Sequence, residues 1–235
     1  MSRPPHPARP LLFLDYDGTL APIVADPAAA VPHAAVPGLL RRLHARHPVV
    51  LVTGRHLADV AALFEDVPPI RAVGLHGTQT GTLGGDLRHL LSEDAERALA
   101  RLRTRVPKGD GVVVEDKGAA FAVHYRHASD EAAALARLRA WAADVPAVLT
   151  PIWGKKVVEL RPAATSKGTA VRTIAAEHPG RTPVYLGDDV TDEDAFEALA
   201  AVEGAVSVKV GEGATRARYR LPDVDAVAAY LEGFL

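Results

Sequence analysis

The chain has 235 residues, 48% hydrophobic and 24% charged, with a formal net charge of −2 and no cysteine. That is the balance of a soluble globular protein long enough for one large or two small domains, with no field that would draw nucleic acid or an anionic membrane. The missing cysteine excludes disulfides, thiolate catalysis, zinc–thiolate sites and iron–sulfur clusters, and fits a reducing cytoplasm.

The start, MSRPPHPARP, is Pro-rich and lacks the apolar core of a signal peptide, so residues 1–10 are expected to form a disordered tail. Leu11–Leu14 predicts the first strand. Pro37–Ala45 predicts a helix with Leu39, Leu40 and Leu43 on one face, and Val49–Val52 a second buried strand ending at Thr53-Gly54. Arg55–Phe64 reads as a helix and Ala72–Leu75 as a third strand ending at His76-Gly77. The Gly/Thr-rich stretch Gly77–Gly85 reads as a turn. A helix follows from Ser92, an N-cap with Glu93 and Asp94 in the first turn. Next come two strands joined at Lys117-Gly118 and a helix opening at Ser129. Two more strands, Val148–Ile152 and Lys156–Leu160, meet at Trp153-Gly154.

After Lys167 the first pattern resumes. Thr169–Glu177 is a helix, Val184–Leu186 a strand, Asp192–Ala200 a helix, Ala205–Val210 a strand and Asp223–Leu231 a last helix. The alternation predicts an α/β protein with a Rossmann-like, doubly wound parallel-sheet core. Residues 11–76 and 163–235 would form that core, and 77–162 a smaller inserted α/β domain with Arg161–Ala164 as its exit hinge. No apolar run approaches the ~18 residues of a membrane span.

The string LLFLDYDGTL places Asp15 and Asp17 at the C-terminal end of a buried strand, the end that faces the ligand crevice in open α/β sheets. Two carboxylates there cost stability unless a metal, a proton or a cationic group compensates. The pair suggests one nucleophile and one acid/base; the bland alternative is an Asx turn with Gly18 at positive φ. In GDDVTDED, Asp188, Asp189, Asp192 and Glu193 repel one another unless a cation is bound. Oxygen ligands without a His/Cys cluster suggest Mg²⁺.

The succession DYDGT, VTGR, SKG and GDDVTDED resembles the four motifs of the haloacid-dehalogenase-like phosphatases, which run Mg²⁺-dependent phosphoryl transfer through an aspartyl-phosphate. GLHG, VEDKGAAFAVHYR, WGKKVVELRP and GDDVTDEDAF resemble the trehalose-6-phosphate phosphatase family more narrowly, over a span from Leu11 to at least Val210. The resemblance implies that Asp15 is the nucleophile and Asp17 the general acid and then base. Gly18 lets backbone amides point at the phosphate. Thr53 is its phosphate-binding hydroxyl, a role compatible with capping the helix that follows. Lys167 holds Asp15 and the phosphate together, and Arg55 is nearby support. Mg²⁺ is held by Asp15, Asp188 and the backbone carbonyl of Asp17, with Asp189 and Asp192 behind them.

In the insertion, the period of two puts Glu115 and Lys117 on one face, and Lys155 and Glu159 likewise. Phe121, Val123 and Tyr125 take one face of their strand, His124 and Arg126 the other. An ordinary sheet with one wet face explains such patterns. Mixed charge nevertheless suits sugar hydroxyls, and Glu115, Lys117, Arg126, Lys155 and Glu159 match the family's sugar-recognising cap residues. His124 reads as structural, and Trp153 either as a stacking platform or as packing. The family commonly has a hydrophobic residue or Ala followed by Glu where this chain has Thr78-Gln79, which leaves the entry hinge without an assigned role.

The resemblance implies hydrolysis of trehalose 6-phosphate to trehalose and phosphate. The alternatives are a phosphatase for sucrose phosphate or mannosyl-phosphoglycerate, and a non-catalytic sugar-phosphate-binding module, against which the intact Asp15, Asp17, Lys167 and Asp188 argue. A cytoplasmic monomer is expected, with a small-molecule substrate, coupling to a trehalose-phosphate synthase, and no nucleic-acid or membrane partner.

Overall fold

The computed structural model describes residues 3–24 and 29–235. In chain order its strands and helices are β1 (Pro10–Leu14), α1 (Val36–His44), β2 (Val49–Val52), α2 (Leu57–Ala61), β3 (Arg71–Gly74), β4 (Gln79–Thr82), β5 (Leu87–His89), α3 (Glu93–Thr104), β6 (Val113–Asp116), β7 (Phe121–His124), α4 (Glu131–Ala142), β8 (Leu149–Gly154), β9 (Val157–Pro162), α5 (Lys167–Ala176), β10 (Thr182–Gly187), α6 (Glu193–Ala200), β11 (Val206–Val210), β12 (Tyr219–Leu221) and α7 (Val224–Glu232). They fall into two compact units, residues 1–88 with 166–235, and residues 89–165.

The larger unit is built on a sheet of order β12-β11-β10-β1-β2-β3-β4-β5. From β12 to β3 all pairs are parallel. A parallel strand at the centre is covered on both faces, so it reads as an unbroken apolar run, and every residue of β1 is buried. Leu12 and Leu14 pack with Leu39, Leu43 and Val227 under α1 and α7, while Leu11 and Phe13 pack with Val171, Ile174 and Phe196 under α5 and α6. Helices on both faces make the expected doubly wound core. The chain runs from β1 outward to β2 on one side and returns to β10 on the other. The carboxyl ends of β1 and β10 therefore flank a topological switch point, where such sheets bind ligands.

The smaller unit carries an antiparallel sheet of order β6-β7-β9-β8. Phe121, Val123, Val158 and Leu160 pack on one face against Ala95, Leu99, Ala134 and Leu138 of α3 and α4. Pro151 lies on the edge strand β8, where its missing N–H breaks no ladder.

Several expectations need correction. The Gly/Thr-rich stretch is not only a turn: Gln79–Thr82 pairs antiparallel with β3. The open edge of β3 captures it, and a Cβ at Gly81 would collide with Asp86 O. The larger unit therefore keeps the chain to residue 88 rather than 76, and regains it at 166 rather than 163. Arg55–Phe64 shortens to α2, because His56 has an extended backbone and its side chain accepts from Ala58 N, capping the helix in place of Thr53. The β8–β9 hairpin turns at Lys155-Lys156, two residues beyond the expected point, with Gly154 opposite Val157. The described part of the expected disordered tail is pinned to α7. His6 Nε2 donates to Tyr230 O at 2.9 Å, Tyr230 OH donates to Pro5 O at 2.7 Å, and the His6 ring packs against Tyr230 and Phe234. Residues 1 and 2 lie outside the described residues.

Candidate active site

The larger unit gathers Asp15, Asp17, Gly18, Thr53, Lys167, Asp188 and Asp192 within its own fold. Asp15 follows β1 directly, and its backbone N–H donates to Leu186 O of β10 at 3.0 Å. Lys167 opens α5 behind Ser166, which caps the helix in a reciprocal box with Thr169. This start aims the lysine inward, where it is 2% exposed. Its Nζ donates to Asp15 Oδ1 and to Asp192 Oδ1, each at 2.7 Å.

Asp192 is fully buried and its acceptor sites are filled by the protein. Oδ1 also accepts from Tyr185 OH at 2.6 Å, and Oδ2 accepts from Asp188 N at 3.0 Å and Asp189 N at 2.9 Å. It thus fastens the Asp188–Asp189 turn to Lys167. Asp189 is exposed and completes a reciprocal cap with Asp192 around the short turn Val190–Asp192. Gly18 sits at φ +68°, and a Cβ there would lie on the Asp188 carboxylate. Its absent side chain therefore lets two acidic loops close on each other.

Burial raises Asp15 well above the ordinary carboxylate range, the Asp192 charge adds to this, and Lys167 opposes it. Asp188 is pushed up to about 6, first by burial and then by Asp192 and Asp189. Burial alone would lower Lys167, but the two carboxylates outweigh it and raise it. Oxygens of Asp15, Asp188 and Asp192 lie within 4.8 Å of one another. With Asp192 saturated, Asp15 and Asp188 are the carboxylates with lone pairs to offer. Hard oxygen donors that hold protons too tightly fit a hard divalent cation, which would relieve their repulsion.

Asp17 points to a different partner. Arg55 Nε donates to its Oδ2 at 2.8 Å and Nη2 to its Oδ1 at 2.5 Å. Thr53 is buried, and its Oγ1 accepts from Arg55 N at 3.1 Å. The turn after β3 braces this corner with two left-handed residues, Leu75 (φ 49°) and His76 (φ 54°). Such strain persists only where surrounding contacts hold it. Leu75 N donates to Arg55 O at 3.0 Å and His76 N to Thr53 O at 3.1 Å. Buried Thr78 and Gln79 belong to the same brace, since Thr78 Oγ1 donates to Leu75 O and Gln79 Oε1 accepts from Leu57 N at 2.8 Å.

The remaining candidates lie in the smaller unit. Glu115, Ala122 and Glu159 are in register across β6, β7 and β9, so both glutamates share the face opposite the helices. Lys117 Nζ donates to Glu159 Oε2 at 2.7 Å, and His124 Nε2 to Glu115 Oε2 at 2.8 Å. Arg126 and Lys155 are exposed, one past the end of β7 and the other in the β8–β9 turn. Trp153 packs against the apolar cluster with Arg139 4.7 Å over its ring, which decides for packing rather than a platform.

Two residues of this cluster carry little local signal. Tyr185 looks like one more strand residue, and Arg55 like a helix start. Lys209 had a usable signal, a lysine between valines of a buried strand. It is 6% exposed and its Nζ donates to Asp188 O and, at 3.0 Å, to Val210 O.

Residues 13–225 match the sequence model of the trehalose-phosphatase family. The trehalose-6-phosphate phosphatase of Escherichia coli K12 is 37% identical over 94% of this chain and 84% of its own length. The trehalose-phosphate phosphatase of Mycobacterium marinum is 37% identical over 95% of this chain, which spans 60% of that relative. The C-terminal domain of Candida albicans trehalose-6-phosphate phosphatase has the same fold, with a TM-score of 0.75 over 97% of this chain and 92% of that one at 24% identity. A match that runs from β1 through the inserted unit to the last helix takes in the acidic cluster and the polar sheet face alike, and on it this chain belongs to the trehalose-phosphatase family.

Proposed function

We propose that the chain hydrolyses trehalose 6-phosphate to trehalose and inorganic phosphate with Mg²⁺ as cofactor. The observation that carries the chemistry is the buried Asp15 held by Lys167, which Asp192 holds in turn. A phosphate monoester is already anionic, so the site must neutralise charge, hold a nucleophile in line and protonate the leaving oxygen. Lys167 grips Oδ1 of Asp15 and leaves Oδ2 to attack phosphorus. The bond from phosphorus to the sugar oxygen breaks, that oxygen takes a proton from Asp17, and Asp15 carries the phosphoryl group. Asp17 then takes a proton from water, the water oxygen attacks phosphorus, and the bond to Asp15 breaks. Asp15, Asp188 and the Asp17 carbonyl would hold Mg²⁺, which when bound supplies positive charge beside the phosphate oxygens. Thr53 and the backbone at Gly18 bind the phosphate, while Asp189 and Asp192 shape the loop that presents Asp188.

The smaller unit acts as the cap that reads the sugar. Glu115, Lys117 and Glu159 present acceptors and donors on one face, and the Lys117–Glu159 pair fixes both before any hydroxyl arrives. Arg126 and Lys155 extend that face. Remote binding energy accelerates chemistry when it drives positioning. Glu159→Ala and Arg126→Ala are therefore expected to lose kcat/KM for trehalose 6-phosphate by on the order of 10²-fold, and to hydrolyse p-nitrophenyl phosphate almost normally. Parallel losses on both substrates would make this face structural. A panel with sucrose phosphate and mannosyl-phosphoglycerate tests the sugar itself, and faster turnover of either would replace the assignment. The same reading places the chain as a cytoplasmic monomer fed by a synthase that makes trehalose 6-phosphate. No helix among the described residues is long and apolar enough to cross a membrane.

A further inference from the structure

From sequence, Arg55 is no more than nearby support, yet the structure builds it into the first aspartate loop. Its Nε and Nη2 take the two oxygens of Asp17 side-on, at 2.8 and 2.5 Å. Only a guanidinium offers that planar fork. The same group lies over the Tyr16 ring, 5.0 Å from its centroid. Tyr16 is itself fully buried, with its hydroxyl donating to Ala30 O at 2.9 Å. The Arg55 backbone is tied as well, to Thr53 Oγ1 through its N–H and to Leu75 N through its carbonyl. The fork is thus anchored in packed structure on both sides.

An aspartate at the mouth of a sheet turns freely about its last bond unless something holds both oxygens. The fork uses one lone pair of each oxygen and leaves the other, facing away from the guanidinium, for a proton. We propose that Arg55 is a positioning residue, which holds the Asp17 carboxyl in the orientation from which it exchanges a proton with leaving group and water. This rests on the acid/base role given to Asp17 above.

The test places Arg55→Ala and Arg55→Lys in the wild-type and Asp17→Asn backgrounds. Rates are measured with p-nitrophenyl phosphate, a good leaving group on which Asp17→Asn is expected to keep a measurable rate. Arg55→Ala should lower kcat on the order of 10²-fold, as a misplaced reacting group does, with KM changed less than about threefold. Arg55→Lys keeps the charge and loses the fork, so it should recover no more than about tenfold. In the Asp17→Asn background either substitution should cost less than about twofold, because the carboxylate to be positioned is gone. Full multiplicative losses in that background overturn the proposal, as does a rise in kcat without Arg55 or a wild-type rate in Arg55→Lys. Should Arg55→Ala fail to fold, the lysine variants carry the same comparison. The substrate has no sugar, so a wild-type chain that ignores trehalose 6-phosphate would count against the substrate assignment and leave this comparison standing.

Discussion

Asp15→Asn is expected to abolish turnover, by on the order of 10⁴-fold or more, while the chain keeps its fold. The amide is nearly the same shape as the carboxylate, and its oxygen can still accept from Lys167 Nζ, which sits 2.7 Å from Oδ1. As a nucleophile toward phosphorus it is far poorer. Asp15 is 3% exposed and stands close to two further carboxylates, so neutralising it removes a buried charge. The melting temperature should therefore hold or rise. Phosphate release and a thermal melt on the same preparation check both halves. Activity within tenfold of wild type would remove the covalent mechanism, and a collapsed melt would make Asp15 a structural anchor.

Chelation with EDTA is expected to remove all activity and Mg²⁺ to restore it, with Ca²⁺ a poor substitute because its larger, looser shell would misplace the nucleophile. The same carboxylates link metal, pH and stability. Asp188 is held up to about 6 against an ordinary 3.8, so the folded chain binds that proton more tightly than the unfolded chain. Its contribution is complete below the ordinary value and is lost as pH rises through about 6. Asp15 is raised as well and works in the same direction. Mg²⁺ competes with those protons for the same oxygens. It should raise the melting temperature clearly above pH 7 and less at pH 5, by linkage to the folded state alone. An equal shift at both pH values, or none, would move the metal away from Asp15 and Asp188.

Much of this site is legible from residue order. Strand Leu11–Leu14 ends at Asp15, Val49–Val52 at Thr53, and the strand through Leu186 at Gly187 and Asp188. Runs of apolar residues mark buried strands without any knowledge of neighbours, and polar residues at their carboxyl ends mark the crevice. The errors fall where an element depends on an edge or a partner. Gln79–Thr82 has the composition of a turn and becomes a strand because β3 offers it an unpaired edge. The first residues have the composition of a loose tail and are pinned because Tyr230 and Phe234 form a bed for His6.

By itself the sequence determined the alternating core, the inserted unit and the identity of the acidic and basic residues, because periodicity, burial preference and motif order are properties of contiguous residues. Only the tertiary structure decided how the charges are shared out. Lys167 meets Asp15 across 152 positions and Asp192 across 25. Arg55 meets Asp17 across 38, and Lys209 meets the Asp188 carbonyl across 21. Asp192, which the family resemblance sets behind the metal ligands, has its lone pairs filled by four protein donors. Which carboxylate keeps free lone pairs depends on the donors that packing brings to it. Those donors come from strands and helices remote in the chain, whose approach is set by burial of the two apolar clusters on either side of the sheet.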